Sequence, residues 1–431
     1  MRFDPAIALI DCNNFFVSCE RVFDPALKNR PVVVLSHNDG CVISRSNSVK
    51  EMGVKMAQPF FEVKGLLESH NTAVISSNLS VYCEISREVM NIVRENLGSN
   101  AVEVYSIDEA FLDLGTPDKT TEVGFHLKEA IEASTGIPVS VGIAKTKTLT
   151  KLANNLAKKS QKTRGMLDLY DSPYLNLALE KTPVGDIWGI GPKNAKRLKD
   201  VNINTALALS STSVEFVRKH LNLFGGRTVL ELRGTKCIPF ERTFADKKSI
   251  AHTRSFGRAI SSYTEVKNAV LNFSVRAVER MRRDGLAAKT ITVFLRTNRF
   301  KRDYSAQSVK YNSVYHSDLK NEINKWALAC FERIFEPDLQ YKKAGIILTG
   351  LVKADLMSNR LYERASFERW RYLADVVDEL NYRYGRDTVK LASVSELGAG
   401  QGSHEFKNKN SKMTEIRRQR DTNTSEFRRF I

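Results

Sequence analysis

Along the first 170 residues the apolar positions alternate between short continuous runs and regularly spaced stripes. In IALIDCNNFF, Ile7 to Ile10 is a continuous run ending at Asp11, which predicts a strand covered on both faces. PVVVLS, Pro31 to Ser36, predicts a second strand, closed by the turn residues HNDG. From Asn78 the spacing changes. Tyr82, Ile85, Val89, Ile92 and Val93 recur at helical intervals and share one face, with Asn78 as a suitable N-cap. After LGSN come two apolar runs, Val102 to Ser106 and Ala110 to Leu114, with Ile107, Asp108 and Glu109 between them. This predicts a hairpin with two adjacent acids at its tip. A helix near Thr121 to Ser134, the strand IPVSVGIA and the helix KTKTLTKLANNLAKK follow.

Around Pro173 the pattern turns to short helical segments that include DIWGIGPKNAKRL. A polar linker with few periodic apolar residues spans roughly Gly234 to Ala251. Beyond it the order is strand (TRSFGRAI), helix (Thr264 to Arg283), strand (KTITVFLRT), strand (SVKYNSVY), helix (Leu319 to Ile334), strand (KAGIILTGL). This is the split ferredoxin-like pattern, a sheet with two helices on one face. Alternation places Ile291, Val293 and Leu295 toward the helices. Thr290, Thr292, Phe294 and Arg296 face the other way, where Arg254 and Arg258 of the neighbouring strand are expected to join them and contact DNA phosphates. A solvated sheet face is the ordinary alternative. From about Val352 the pattern is mixed. His404 to Ile431 is rich in Lys and Arg with little apolar periodicity, so it is expected to be weakly ordered or dependent on a partner.

Composition narrows the function. The 431 residues suffice for roughly two to four domains. Lys and Arg number 66 against 49 for Asp and Glu, a net charge of +17, which favours nucleic acid as partner and an anionic membrane surface second. No apolar run reaches the length of about 18 residues that a membrane span needs. Asp4 and Asp11 interrupt the N-terminal apolar stretch, so no signal peptide is expected. The six cysteines form no CxxC pair and the seven histidines no HExxH, which argues against a zinc site or disulfide framework and for a reducing cytosol.

Against that background the acids matter. If the strand ending at Asp11 lies beside the hairpin, Asp11, Asp108 and Glu109 converge at one edge, and three carboxylates there repel unless a cation binds them. Oxygen ligands without nearby His or Cys favour Mg²⁺, and two such ions suit an in-line phosphoryl displacement. The plain alternative is a pair of turn acids. VISRSNSVKEMGVKM supplies Ser44, Arg45 and Lys50 as candidate triphosphate contacts. In GIGPKNAKRL, Gly189 and Gly191 precede Pro192 at the first position of a helix. The backbone N–H groups there can approach a DNA phosphate, and Lys193 and Lys196 add charge.

These segments together resemble the Y-family translesion DNA polymerases of the UmuC type, the catalytic subunits of DNA polymerase V. The resemblance runs from about residue 6 to 350 and rests on DCNNFFVSCE, PVVVLSHNDGCVISRSNSVKEMGVKM, YSIDEAFLDL, GIAKTKTLTKLAN and WGIGPKNAKRL. It implies an α+β right-hand polymerase: a ferredoxin-like palm from residues 1–14 and 81–167, small fingers from 15–80, and a helical thumb with a helix-hairpin-helix from 168–238. A linker at 239–251, a separate βαββαβ little-finger domain at 252–352 and a partner-binding region at 353–431 complete it. It further implies that Asp11, Asp108, Glu109 and the backbone carbonyl of Cys12 bind two Mg²⁺ ions. Phe16 would be the ring that excludes ribonucleotides, with Phe15 packed beside it, and Ser44, Lys50 and Lys158 would hold the triphosphate. Asn13, often acidic in the DinB branch, supports the UmuC branch; Phe16 departs from the Tyr common there. Primer-template DNA and deoxynucleotides are the implied substrates. The implied partners are a processed UmuD-type dimer, a RecA-type filament and a sliding clamp, in the cytoplasm and the SOS response. The clamp peptide would fall at Ser358 to Tyr362, where Leu361 and Tyr362 keep the apolar pair but Ser358 replaces the usual Gln. A two-metal nuclease and a catalytically idle adaptor remain as alternatives.

Overall fold

In the computed structural model, Ile7–Cys12 forms β1, a strand buried at all 6 positions. The structure describes residues 5–36, 39–115, 118–242, 246–357, 364–385 and 387–392. They fall into two units, one within Met1–Phe244 and one within Ala245–Glu405. Among the described residues no helix is long and apolar enough to cross a membrane.

In the first unit, α1 (Phe15–Phe23) follows β1 directly. Asn14 makes the turn at φ 48°, a left-handed conformation that Asn tolerates better than most residues. A small lobe comes next: β2 (Val32–Leu35), β3 (Val42–Arg45), α2 (Asn47–Glu51), α3 (Phe60–Ser69) and β4 (Ala73–Ser76), with strand order β3-β2-β4. Its core is small, built on side chains such as Val33, Leu35, Val42 and Leu67. The apolar pattern predicts only β2 of this lobe, because its VVVL is a continuous apolar run, whereas VISR of β3 and AVIS of β4 are short and mixed with polar residues.

A five-stranded sheet is completed by α4 (Leu79–Leu97), β5 (Val102–Val104), β6 (Glu109–Asp113), α5 (Thr120–Thr135), β7 (Val139–Ala144), α6 (Lys147–Lys159) and β8 (Met166–Asp168), in the order β5-β6-β1-β7-β8. As expected, Asn78 caps α4, accepting from the Val81 N–H. Alternation divides β1. Ala8, Ile10 and Cys12 join the large core with Ile85, Val89 and Leu127. Ile7 and Leu9 pack with Phe111, Trp188 and Phe240 on the opposite face. There α6 lies so close to β7 that a Cβ on Gly142 would stand 2.3 Å from the Asn154 nitrogen. Asp11 has the parity of Ile7 and Leu9 and so emerges on the α6 side.

The acidic hairpin differs from expectation in one respect. Glu109 is not at the tip but in β6, opposite Asp11 in the ladder. Its carbonyl accepts from the Tyr105 and Ser106 N–H groups, both at 3.0 Å, leaving Asp108 alone of the two acids in the turn.

α7 (Leu175–Lys181), α8 (Pro192–Lys199), α9 (Ala206–Ser211), α10 (Val214–Leu221) and α11 (Leu223–Leu232) share a core around Leu179, Leu198, Leu209 and Val229. The polar stretch after α11 is anchored over its first part. The fully buried Glu231 carboxylate accepts from Cys237 N at 2.7 Å and Ile238 N at 3.1 Å, and Glu103 accepts from Glu241 N at 2.7 Å.

The second unit has the expected order: β9 (Ser249–Ile260), α12 (Tyr263–Arg283), β10 (Leu286–Arg296), β11 (Ala306–Ser317), α13 (Lys320–Glu332) and β12 (Tyr341–Lys353). The antiparallel sheet runs β11-β10-β12-β9. β9 starts at Ser249, inside the stretch expected to be linker. Register corrects the place of Arg254. Leu295 stands opposite Ala344, and Ala344 opposite Arg254, so Arg254 shares the helix-covered face with Ile250 and Phe256. Arg296 instead lines up with Lys343 and Ser255 on the open face. Alternation fixes faces within a strand, whereas the pairing between strands decides which faces coincide. Arg258 lies past a register shift between β9 and β12 and pairs with Glu265 in the first turn of α12 at 2.5 Å. A helix not expected from the sequence, α14 (Arg364–Arg383), is docked by charge: Arg282 binds Asp318 at 3.1 Å and both Asp375 and Asp378 at 2.6 Å. Leu361, Tyr362 and the basic tail lie outside the described residues.

Candidate active site

Pairing of β1 with β6 sets Asp11 and Glu109 side by side, and the Asp108 carbonyl accepts from Cys12 N at 2.9 Å. The expected convergence of strand end and hairpin is therefore present. Each acid has its own partner. Lys158 Nζ lies 2.5 Å from Asp11 Oδ1, and Lys151 Nζ lies 2.5 Å from Glu109 Oε2. Ser106 Oγ donates to Asp108 Oδ1 at 2.5 Å. Among the described residues no three His, Cys, Asp or Glu side chains are drawn close enough together to hold a metal ion.

Burial makes this acidic cluster strained. It pushes the Asp11 carboxyl from 3.8 up to about 8, a rise to which Glu109 adds and which Lys158 opposes. Burial acts upward on Glu109 too, but the hydrogen bond with Asp11 and the Lys151 ammonium outweigh it, and Glu109 lies below its ordinary value. Burial also raises Asp108, against the hydrogen bond from Ser106. Burial thus favours a shared proton over two full charges on the Asp11–Glu109 pair.

Asp11 and Asp108 open on a cleft of about 920 Å³ whose lining includes Cys12, Phe15, Phe16 and Lys158. Ser44, Arg45 and Lys50 from the small lobe line it as well. Arg45 Nε is buried without a hydrogen-bond partner among the described residues. Lys50 is lowered by burial first and then by Arg45 and Lys158. Crowded cations of this kind call for an anion. Ser44 Oγ sits 3.4 Å from both the Val17 nitrogen and the Asn14 carbonyl, which holds it at the start of α1.

Phe15 is in the core, while Phe16 is half-buried at the cleft. The Phe16 ring stacks on Tyr82 with centroids 4.7 Å apart and planes 19° from parallel. Tyr82 is itself fixed, fully buried with its hydroxyl donating to Glu20 Oε1 at 2.5 Å. Tyr82 and Lys151 are the residues that sequence reasoning missed. A signal for Lys151 existed: Lys147, Lys151 and Lys158 recur at helical spacing on one face of α6.

Other candidates lie elsewhere. Gly189, at φ 87°, and Gly191, the N-cap of α8, are exposed, as are Lys193 and Lys196. They form a basic helix start outside the cleft lining. Arg254, Arg258 and Arg296 belong to the second unit.

Residues 10–155 match the impB/mucB/samB family, 247–361 its C-terminal domain, and 174–203 the helix-hairpin-helix motif of the same family. Protein UmuC of Salmonella typhimurium is 36% identical over 395 residues, covering 89% of this chain and 92% of that protein. Protein MucB of Salmonella typhimurium is 38% identical over 347 residues, covering 79% and 82%. Among solved structures, a Y-family DNA polymerase chimera matches with a TM-score of 0.66 at 21% identity, covering 80% of this chain and 99% of that one. The chain belongs to the impB/mucB/samB family, together with Protein UmuC and Protein MucB, and has the fold of a Y-family DNA polymerase.

Proposed function

We propose that this chain is a template-directed DNA polymerase that adds deoxynucleotides by two-metal nucleotidyl transfer and copies across damaged template in the SOS response. One observation carries the reading. A single cleft joins the acidic ends of β1 and the hairpin, a cationic wall of Arg45 and Lys50, and the stacked Phe16 ring.

The donor set fits Mg²⁺: the carboxylates of Asp11, Asp108 and Glu109 and the Cys12 carbonyl are hard oxygens, and burial keeps the Cys12 thiol protonated. Two such ions supply, when bound, charge stabilisation for the attacking and leaving oxygens of an in-line displacement. Lys158 and Lys151 are the partners of Asp11 and Glu109 that such ions would displace. Released from Asp11, Lys158 is placed to join Arg45, Lys50 and Ser44 on the triphosphate. Phe16, held by stacking on Tyr82, is the ring we assign to the deoxyribose, against which a 2′-hydroxyl would press. A nuclease would need neither this ring nor the cationic wall. The start of α8 and the open face of β10 and β12 with Arg296 and Lys343 hold DNA through phosphates, without reading sequence. We assign palm, fingers, thumb and little finger to the boundaries that the resemblance implies, and start the last at Ser249, where β9 begins. A UmuD-type dimer, a RecA-type filament and a sliding clamp are the proposed partners, in the cytoplasm.

Primer extension by the purified chain with Mg²⁺ and deoxynucleotides, on intact and abasic templates, with and without a UmuD-type partner, tests the proposal. Extension past the abasic site is expected. No nucleotide addition in any arm overturns it.

A further inference from the structure

Behind the acidic cluster lies a second feature of the first unit. Lys151 is enclosed by three aromatic rings. Its ammonium stands 4.6 Å from the Tyr105 ring centroid, 5.7 Å from Phe111 and 5.9 Å from Trp188. An ammonium over aromatic faces is held by their quadrupoles, the more so when water is excluded, and the Lys151 side chain is 15% exposed. The rings also hold one another. Tyr105 meets Trp188 edge-on at 5.7 Å, and the Trp188 indole N–H donates to the Tyr105 hydroxyl at 3.3 Å. Tyr105 N donates to the Glu109 carbonyl, and Lys151 binds the Glu109 side chain.

The ends of this chain of contacts belong to different tasks. Trp188 directly precedes Gly189-Ile190-Gly191, the turn that opens α8. Glu109 stands opposite Asp11 in the ladder, and Asp11 lines the cleft. We propose that Trp188 and Lys151 are positioning residues that couple the seating of duplex DNA on the α8 turn to the orientation of Glu109, through the Tyr105 ring. The inference rests on the polymerase reading for the role of Glu109 and goes beyond it in making the DNA-holding turn part of the active-site frame. A duplex phosphate pulling on the 189–191 turn moves Trp188, and Trp188 can move only with Tyr105 and the ammonium beneath it. A contiguous packed path is necessary for coupling and does not by itself establish it, so the test must read both ends.

The experiment compares the full chain with Trp188→Leu, Lys151→Met and Lys151→Arg. Single-nucleotide kinetics, primer-template binding, thermal melting, and hydrogen exchange at the Tyr105 and Ser106 amides with and without primer-template DNA are measured. Added DNA is expected to slow exchange at Tyr105 and Ser106 in the wild-type chain and not in Trp188→Leu. Trp188→Leu and Lys151→Met are expected to lower kcat by about tenfold or more, with KM for deoxynucleotide and DNA affinity changed less than about twofold. Lys151→Arg, which keeps the cation and the rings, should recover most of kcat. A purely structural role would lower the melting temperature and leave the kcat of the folded fraction, and the DNA effect on exchange, unchanged. That result overturns the inference, as does wild-type exchange that ignores DNA. If the wild-type chain adds no nucleotide while DNA still slows exchange at Tyr105 through Trp188, the coupling stands and the polymerase reading is what fails.

Discussion

Two lysine–glutamate pairs lie one turn apart on α6. Lys147 binds Glu103, and Lys151 binds Glu109. The first pair is 2% and 9% exposed. Its remaining valences are filled by backbone, with the ammonium donating to the Pro239 carbonyl at 2.7 Å and the carboxylate accepting from Glu241 N. The second is 15% and 18% exposed and adjoins Asp11. Further along the same helix, Lys158 is 33% exposed against Asp11 at 11%. The chemistry is the same and the surroundings differ. The inner pair is closed by backbone groups that cannot leave, so it fixes the chain after α11 against the sheet. Asp11 and Lys158 line the cleft, so that lysine can be exchanged for another cation, and the Lys151–Glu109 pair stands next to Asp11 in the ladder. An ion pair becomes functional when its partner is replaceable, not when it is strong.

Breaking the outer acids should have the largest effect. Asp108→Asn or Glu109→Gln should slow nucleotide addition by about a thousandfold or more while primer-template affinity stays near wild type, because DNA affinity comes from the basic surfaces instead. Pre-steady-state extension beside fluorescence anisotropy checks this, and near-wild-type extension in either variant would remove these acids from the catalytic set.

Breaking the inner pair should instead be read in stability. Lys147→Met leaves Glu103 buried without its cation, and a loss of about 3–5 kcal/mol is expected in denaturant unfolding. Lys151→Met, beside the open cleft, should cost less. Equal losses would erase the distinction between the two pairs.

Phe16→Ala sharpens the comparison at the cleft itself. Ribonucleotide insertion should rise relative to deoxynucleotide insertion by at least about tenfold, or about 1.4 kcal/mol of differential barrier. Matched single insertions measure it. A folded, active variant with unchanged sugar preference would reduce Phe16 to a packing residue.

A smaller effect is expected with pH. A carboxyl raised from 3.8 to about 8 favours the folded state while it keeps its proton. The protein therefore loses stability as pH rises from 3.8 to about 8, and this group takes no more away above that. Asp11→Asn should flatten the dependence of melting temperature on pH between about 6 and 8. An equally steep dependence in the variant would assign the proton elsewhere.

The smallest effect belongs to the second unit. Replacing Arg296 and Lys343 together by Glu should reduce the salt slope of DNA binding by about two, whereas Arg254→Glu, on the helix-covered face, should leave the slope in place. Titrations of binding against salt separate the two. The reverse outcome would mean that the covered face is the one that meets DNA.

Much of this molecule is legible in its residues taken in order. The buried run to Asp11, the helical stripe from Asn78, the glycine turn before Pro192 and the βαββαβ pattern are local, and local periods and turn chemistry determine them. The acids, the cationic segment around Arg45 and Lys50, and Phe16 are recognisable because each sits in a short motif. What crosses between segments was decided by tertiary structure. The pairing of β1 with β6 moved Glu109 out of the hairpin tip and set it against Asp11. Register in the second sheet carried Arg254 to the covered face. α14 escaped notice because carboxylates that look solvated in sequence dock it on Arg282. In sequence Lys151 shows only as one of three lysines on one face of α6, Lys158 only through its motif, and Trp188 as an ordinary core aromatic. Their meaning comes from the groups that face them, and charge pairing and ring contact depend on distance in space, to which a linear pattern gives no access.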